Sequence, residues 1–232
     1  MLNIKDITNT VICGDCLEVM KSMPDKCIDL CLCDPPYGRK ITRKDNQFGS
    51  ATHKSYRATG ESWDDKVPNP ETFEEIFRIS KNQIIFGGNY FKLPISEKWL
   101  VWDKTAGMNF DNPFSKCELI WTSFDGVIDR YAFAQQGFVK DTNDKRFHPT
   151  QKPSELIADI LKDFTDEGDL VFDGYLGSGT TAIACERMGR RYIGIEISPE
   201  YCAIARKRIQ EAKDSMGLFK EQYGTIQRRL PD

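Results

Sequence analysis

The sequence predicts an α/β fold built around a mainly parallel sheet. Short apolar runs alternate with segments of helical periodicity, which is the pattern of parallel strands joined by crossover helices. One predicted strand leads into a glycine-rich turn and a helix, and another leads into a proline-stiffened turn. The chain has 232 residues and 40% hydrophobic content, enough to bury a full core, so we expect one domain over residues 1–232.

Seven segments are predicted as strands because each is short, apolar and bounded by polar or turn-forming residues. They are Thr10–Cys13, Ile28–Cys33, Gln83–Phe86, Trp99–Trp102, Glu118–Thr122, Leu170–Phe172 and Tyr192–Glu196.

Three predicted helices have recognisable starts. Asn69-Pro70 and Ser198-Pro199 each combine a capping side chain with a proline at the first helical position. The third helix begins at Ser154, and its apolar residues recur at helical spacing.

Charge, hydropathy and cysteine usage argue against a broadly basic nucleic-acid-binding protein, a membrane protein and a metalloprotein. The net charge of −3 means that any contact with nucleic acid has to come from local basic patches. Neither a signal peptide nor a long apolar run is visible, so we expect no membrane association and a cytoplasmic location. Several of the eight cysteines lie in apolar runs, and Cys13-x-x-Cys16 has no second ligand pair at a suitable distance. We therefore expect no metal site.

Two long stretches show neither helical nor strand periodicity, residues 38–67 and 123–147. Loops of this length inside a compact domain are usually functional or disordered. The first contains a local basic patch of the kind that nucleic-acid contact would need, formed by Arg39, Lys40, Arg43, Lys44, Lys54 and Arg57. A solvated surface loop is the alternative for any such run of charge.

A nucleotide-type cofactor site is predicted where the strand Leu170–Phe172 enters a glycine-rich turn and then a helix. Glycines allow a ligand to approach the backbone, and the helix start favours negative charge. The spacing Gly177-x-Gly179-x-x-Ala182 fits the dinucleotide fingerprint, and Glu196 closes the next strand, where an acid can bind ribose hydroxyls. On this motif alone, an NAD-dependent oxidoreductase remains open, as does a plain tight turn.

A rigid turn rich in hydrogen-bond acceptors, Asp34-Pro35-Pro36-Tyr37, follows the strand Ile28–Cys33. Ligands of open α/β sheets bind at the carboxyl ends of strands, where this tetrad lies. The prolines fix the backbone and remove two N–H donors. The Asp34 carboxylate and the Pro35 carbonyl can then accept both N–H bonds of an exocyclic amine, while the Tyr37 ring stacks on its base. A proline-stiffened turn with a capping aspartate is the alternative.

Taken together, these motifs resemble the amino-group DNA methyltransferases, in the permuted class whose tetrad precedes the glycine-rich motif. The order and spacing of the matching segments make the resemblance specific. They are Gly14-Asp15-Cys16, Asp34-Pro35-Pro36-Tyr37, Phe86-Gly87-Gly88-Asn89, His148-Pro149-Thr150-Gln151-Lys152-Pro153, Asp173 through Thr181, and Tyr192-Ile193-Gly194-Ile195-Glu196.

The resemblance implies a Rossmann-like methyltransferase fold with a seven-stranded, mostly parallel sheet, one antiparallel strand and helices on both faces. The strand that carries Asp173 should lie beside the strand that carries Asp34, so that methyl donor and target amine meet. The implied cofactor is S-adenosylmethionine, which leaves as S-adenosylhomocysteine, with no metal.

The resemblance also assigns residues. Asp34, Pro35, Pro36 and Tyr37 would be catalytic, with Asp15 near the cofactor adenine, Glu196 at its ribose, and Lys152 or Thr150 at its carboxylate. The full set of expected cofactor-binding residues is Asp15, Cys16, Asp34, Thr150, Lys152, Asp173, Gly177, Ser178, Gly179, Thr180 and Glu196.

The expected activity is methylation of the N6 amine of adenine in a base flipped out of DNA. Residues 38–67 and 123–147 are then expected to be insertions that contact DNA, with the six basic residues of the first as the candidate DNA-binding residues. Methylation of cytosine at N4 is the main alternative, while an oxidoreductase and a catalytically silent nucleic-acid-binding module are remote ones. The setting would be a prokaryote, or a phage protein acting in a prokaryotic host. A homodimer and a partner restriction nuclease remain open.

Overall fold

The structure is a computed structural model that describes residues 2–38, 67–109, 115–136, 139–140 and 151–223. Its strands are β1 Thr10–Cys13, β2 Ile28–Cys33, β3 Ser80–Phe86, β4 Trp99–Asp103, β5 Cys117–Thr122, β6 Asp129–Ala132, β7 Gln135–Gln136, β8 Val139–Lys140, β9 Leu170–Asp173 and β10 Arg191–Glu196. Its helices are α1 Ile4–Ile7, α2 Cys16–Lys21, α3 Pro70–Ile79, α4 Ser154–Phe164, α5 Thr180–Arg187 and α6 Pro199–Tyr223, with a short 3-10 helix at Gly88–Tyr90.

The main sheet has eight strands in the order β1-β10-β9-β2-β3-β5-β4-β6. All neighbours pair in parallel except β5, which runs antiparallel to both β3 and β4. The mostly parallel α/β fold with one antiparallel strand is therefore confirmed. In addition, β9 pairs with both β2 and β10, so the strands that carry Asp34 and Asp173 are neighbours as predicted.

The prediction of seven strands was wrong by one, because β6 joins the edge of the sheet beside β4. This strand, Asp129–Ala132, lies within residues 123–147, which the sequence suggested were an irregular insertion. It is short, begins with two charged residues, and none of its residues is fully buried. An edge strand needs no apolar face on both sides, so its sequence lacks the apolar run that marks the central strands.

Helices cover both faces of the sheet. Along β2, Leu30 and Leu32 pack into a cluster with residues of α4, α5 and α6, whereas Cys31 and Cys33 pack into a second cluster with α2 and α3. Alternate side chains of a strand point to opposite faces, so both faces of this central strand are buried. This explains why β2 is almost continuously apolar in sequence.

The expected helix starts are confirmed. Helix α3 begins at Pro70, and the Asn69 side chain accepts a hydrogen bond from the Glu71 N–H at 3.2 Å. Helix α4 begins at Ser154 and α6 begins at Pro199. Within the described residues, no helix is both long enough and apolar enough to cross a membrane.

The central strands give a test of the packing. Ile84 in β3 is completely buried, whereas Ile95, in the loop before β4, is fully exposed. Ile84→Ala should lower the free energy of unfolding by about 2–5 kcal/mol, because it removes buried methyl groups and leaves a cavity. The control Ile95→Ala should change it by less than about 0.5 kcal/mol. Urea unfolding measures both, and equal effects would contradict this assignment of the core.

Candidate active site

Both carboxylate oxygens of Asp34 are bound within the protein. Asp34 follows β2 at the carboxyl edge of the sheet, and its Oδ2 lies 2.6 Å from the Lys152 Nζ. Its Oδ1 lies 2.5 Å from the hydroxyl oxygen of Tyr37. The Asp34 side chain is 26% exposed, so the group is both held by the protein and accessible to a ligand. Burial and the nearby Glu118 raise its pKa, while Lys152 opposes that rise.

Glu118 completes the cluster, and the sequence did not predict it as a site residue. Its Oε1 lies 2.6 Å from the Tyr37 hydroxyl and 3.0 Å from the Lys152 Nζ, and its Oε2 lies 2.7 Å from the Lys104 Nζ. Glu118 stands near the start of β5, and β5 is antiparallel. The start of an antiparallel strand lies at the same edge as the ends of its parallel neighbours, which is why Glu118 reaches the tetrad.

Two carboxylates therefore share one buried ammonium. The Lys152 side chain is 9% exposed, and although burial disfavours its charge, Asp34 and Glu118 together raise its pKa. Burial also disfavours the charge of Glu118, but Lys152 and Lys104 outweigh it and lower the pKa of Glu118 to about 2. The pKa values of the two carboxyl groups thus move in opposite directions, which is typical of functional sites.

The Tyr37 ring is packed among other aromatic groups and a glycine. It stacks on Tyr90 with ring centroids 5.0 Å apart, and the edge of Phe91 lies against it. Gly87 has a φ of +64°, and a Cβ at this position would lie 2.3 Å from the Tyr37 Cε1. Gly87 is therefore required both by its backbone conformation and by the position of the ring.

At the neighbouring strand end, the glycine-rich turn is fixed by Glu196. The Gly177 N–H donates to the Glu196 Oε2 at 2.8 Å, and the Ser198 N–H donates to its Oε1 at the same distance. The turn leads into α5 through Gly179, which has a φ of +91° and where an added Cβ would lie 3.1 Å from the Ala205 Cβ. Close packing of α5 against α6 thus requires glycine here.

The expected cofactor residues around this turn lie at one edge of the sheet. Asp15 caps α2 by accepting the Leu17 N–H at 2.8 Å, and the adjacent Gly14 N–H donates to the Glu196 carbonyl. Cys16, Ser178 and Thr180 are buried, and the Ser178 hydroxyl lies 3.2 Å from the Gln151 Oε1.

Asp173 ends β9 and is 6% exposed. Burial raises its pKa to about 7, although hydrogen bonds from Thr181 and from the Tyr175 N–H favour its charged form. A carboxyl group with such a pKa changes charge near neutral pH, so it can respond to a bound cation.

Some predicted site residues lie outside the described residues. These are Thr150 and the basic residues Arg39, Lys40, Arg43, Lys44, Lys54 and Arg57. Lys152 is described, and its ammonium contacts the tetrad itself. Among the residues that the structure describes, no group of three or more histidine, cysteine or acidic side chains is arranged to hold a metal.

Comparison with known proteins identifies the family. The sequence model of the N6/N4 DNA methylases matches residues 70–207, which is more than half of the chain. The chain belongs to this DNA methylase family. The matched range includes Glu118, Lys152, the glycine-rich turn and Glu196, and it begins after the tetrad.

Two curated methyltransferases are similar in sequence to this chain. The type II methyltransferase M.HinfI of Haemophilus influenzae is 27% identical over 255 aligned positions, which cover 91% of this chain and 71% of that protein. The type II methyltransferase M2.DpnII of Streptococcus pneumoniae is 47% identical over 68 residues, which cover 29% of this chain and 25% of that protein.

Solved structures of similar proteins share the fold. A candidate DNA modification methylase from Thermus thermophilus superimposes with a TM-score of 0.54 at 21% identity, covering 88% of this chain and 94% of that one. The M1.HpyAVI complex with S-adenosylmethionine superimposes with a TM-score of 0.53 at 20% identity, covering 86% of this chain and 98% of that one. The cytosine-N4-specific PvuII DNA methyltransferase superimposes with a TM-score of 0.55 at 17% identity, covering 89% of this chain and 91% of that one.

The charge of Asp173 gives a prediction for cofactor binding. Asp173 is predicted to bind S-adenosylmethionine, whose sulfonium and ammonium charges should favour the ionised carboxylate and release a proton near pH 7. The affinity should therefore fall as the pH decreases below about 7. Calorimetry in buffers of different ionisation enthalpy counts the released protons. Asp173→Asn should abolish this release, and unchanged release in that variant would contradict the prediction.

Proposed function

We propose that this protein is an S-adenosylmethionine-dependent DNA methyltransferase that acts on the N6 amine of adenine. The observation that carries the proposal is the pairing of β2 with β9, which sets the Asp34 carboxylate next to the strand that leads into the glycine-rich turn. Membership of the N6/N4 DNA methylase family supports the reaction class. The fold shared with methyltransferases solved in complex with S-adenosylmethionine supports the cofactor.

In the proposed reaction, Asp34 and the Pro35 carbonyl each accept one N–H of the target amine. Both acceptors increase the electron density on the nitrogen and direct its lone pair at the methyl group that the cofactor supplies. Pro35 is buried and Pro36 follows it directly, so the tetrad is held rigidly at the end of β2. Catalysis then rests on the positioning of the amine rather than on a covalent intermediate.

The target base would stack on the Tyr37 ring. A base within a duplex cannot reach such a site, so it would be flipped out or unpaired beforehand. In the structure Tyr37 stacks on Tyr90, which is 41% exposed. A base bound against Tyr37 would take the place of Tyr90 or lie between the two rings.

Cytosine at N4 is the second candidate target. Both amines donate two N–H groups, so the acceptors could serve either base. The cytosine-N4-specific PvuII enzyme shares the fold at 17% identity. We favour adenine because this chain has aspartate at the first tetrad position. In the family that it resembles, the members that modify adenine mostly have aspartate there, whereas those that modify cytosine usually have serine. A carboxylate is also the stronger acceptor.

The basic residues after the tetrad, within 38–67, are proposed to contact DNA phosphates, together with residues 123–147. We place the protein in the cytoplasm of a prokaryote, or of a prokaryotic host in the case of a phage protein. A homodimer and a cognate restriction nuclease are compatible with this proposal.

Asp34→Ala should abolish methyl transfer and change the affinity for S-adenosylmethionine by less than about tenfold, because the carboxylate acts on the amine. Mass spectrometry of nucleosides from treated DNA measures the product, and calorimetry measures cofactor binding. Asp29→Asn is the matched control, since Asp29 is an ion-paired carboxylate at the opposite end of β2. It should retain activity.

With the wild-type protein, N6-methyladenine is the expected product. N4-methylcytosine without N6-methyladenine would refute the choice of base, and the absence of any methylated base across varied DNA would refute the proposed function.

The charge of the segment after the tetrad predicts the salt dependence of DNA binding. Replacing Arg39, Lys40, Arg43 and Lys44 by glutamine should reduce the slope of log affinity against log salt by about 0.9 for each phosphate that is no longer neutralised. The control replaces four basic residues at the amino edge of the sheet, Lys21, Lys81, Lys162 and Arg191. Equal slopes for the two variants would show that residues 39–44 contribute no more to DNA binding than other charged surface residues do.

A further inference from the structure

We propose that Glu118 is a positioning residue for methyl transfer: it holds the Lys152 ammonium and the Tyr37 hydroxyl, and so leaves Asp34 able to accept the target amine and then its proton. This inference rests on the proposed function, because it names a further residue of the same site. The contacts of Glu118, rather than a sequence motif, bring it into the cluster.

Two carboxylates compete for Lys152. Its Nζ lies 2.6 Å from the Asp34 Oδ2 and 3.0 Å from the Glu118 Oε1, so Asp34 and Glu118 divide one positive charge. Without Glu118, the ammonium would be paired with Asp34 alone. The Asp34 carboxylate, which is needed for the target amine, would then be held by a buried, unshared ion pair.

The Tyr37 hydroxyl has too few hydrogens for its two partners. Its oxygen lies 2.5 Å from the Asp34 Oδ1 and 2.6 Å from the Glu118 Oε1, yet a hydroxyl has a single hydrogen to donate. The hydroxyl can therefore donate to only one of the two carboxyl groups, and the other contact becomes a hydrogen bond when that carboxyl group gains a proton. In this arrangement one carboxyl donates to Tyr37, and Tyr37 donates to the other.

Asp34 is the carboxyl group that gains this proton during the reaction. Glu118 is paired with Lys104 as well as Lys152, and its lowered pKa keeps it ionised. Asp34 has only Lys152 as a cationic partner within ion-pairing distance among the described residues, and burial raises its pKa. The charged or titratable groups that face Asp34 are thus Lys152, Tyr37 and Glu118, with Asp173 on the neighbouring strand. Asp34 is the stronger base of the two carboxylates.

These contacts define the proton balance of the reaction. The amine lone pair forms the new bond from nitrogen to the methyl carbon, and the bond from methyl carbon to sulfur breaks with its electron pair left on sulfur. The methylated nitrogen then carries a positive charge and loses one hydrogen as a proton to the Asp34 Oδ1. The protonated Asp34 donates to the Tyr37 hydroxyl, and Tyr37 donates to ionised Glu118. Solvent removes the proton from Asp34, which is partly exposed.

Glu118→Gln tests the proposal while nearly preserving the size of the side chain. The single-turnover rate of methyl transfer is measured against pH at saturating S-adenosylmethionine. Loss of the negative charge leaves Lys152 to act on Asp34 alone, which lowers the pKa of Asp34. We expect the acid limb of the profile to move to lower pH by roughly one unit or more. The plateau rate should fall at least about tenfold, because Asp34 becomes a weaker acceptor.

The controls separate positioning from folding. Glu118→Asp keeps the charge, so its acid limb should stay near that of the wild type even if its rate is lower. Asp29→Asn, at the other end of β2, should leave both the acid limb and the plateau rate unchanged. Calorimetric binding of S-adenosylmethionine and thermal unfolding show whether Glu118→Gln is folded. If that variant does not fold, Lys104→Gln, which removes one cationic partner of Glu118, should move the acid limb to higher pH.

If the wild type is active but Glu118→Gln does not move the acid limb, this proposal is overturned and the proposed function stays intact. If Glu118→Gln does not fold, an unmoved acid limb in Lys104→Gln has the same meaning. A wild type that forms no methylated base in DNA is a failure of the proposed function instead. The first failure is seen by comparing a variant with the wild type, and the second is seen in the wild type alone.

Discussion

The site depends on one buried cation. Lys152 is almost fully enclosed, and an unpaired ammonium in that position would be strongly disfavoured, so the carboxylates of Asp34 and Glu118 are needed to keep it charged. In turn the ammonium limits how freely Asp34 can accept a ligand. The cluster is thus a balance in which no member can be changed without altering the basicity of the others.

That balance is possible because of the sheet topology. Asp34 comes from a parallel strand that ends at the carboxyl edge, whereas Glu118 comes from an antiparallel strand that begins there. Phe86 and Trp102, in the strands on either side of β5, have their rings 5.0 Å and 6.0 Å from the Lys152 Nζ. These rings pack around the ammonium and contribute to its burial.

The sequence predicted the parts of the structure that depend on local chemistry. The proline-rich tetrad, the glycine-rich turn and the helix starts at Asn69 and Ser154 follow from backbone constraints that are visible in the residues themselves. The seven predicted strands were found for the same reason, since each contains a short apolar run with buried residues. The assigned roles of the tetrad and of the cofactor residues remain predictions.

Two features could not be predicted in this way. Strand β6 has no fully buried residue, so its pairing with β4 depends on tertiary context. Glu118 was included in a predicted strand, but its relevance depends on the direction of that strand, which the residue pattern does not specify. Had β5 been known to run antiparallel, a carboxylate at its start would have been a candidate for the catalytic edge.

The contact between α6 and the glycine-rich turn has a mechanical consequence. Ala205 packs against Gly179, and one turn later Arg208 donates to the Ser178 carbonyl at 2.5 Å and to its hydroxyl at 2.8 Å. These contacts at adjacent turns join helix α6 directly to the loop. A displacement of the helix would therefore disturb the loop backbone, which is expected to surround the methyl donor.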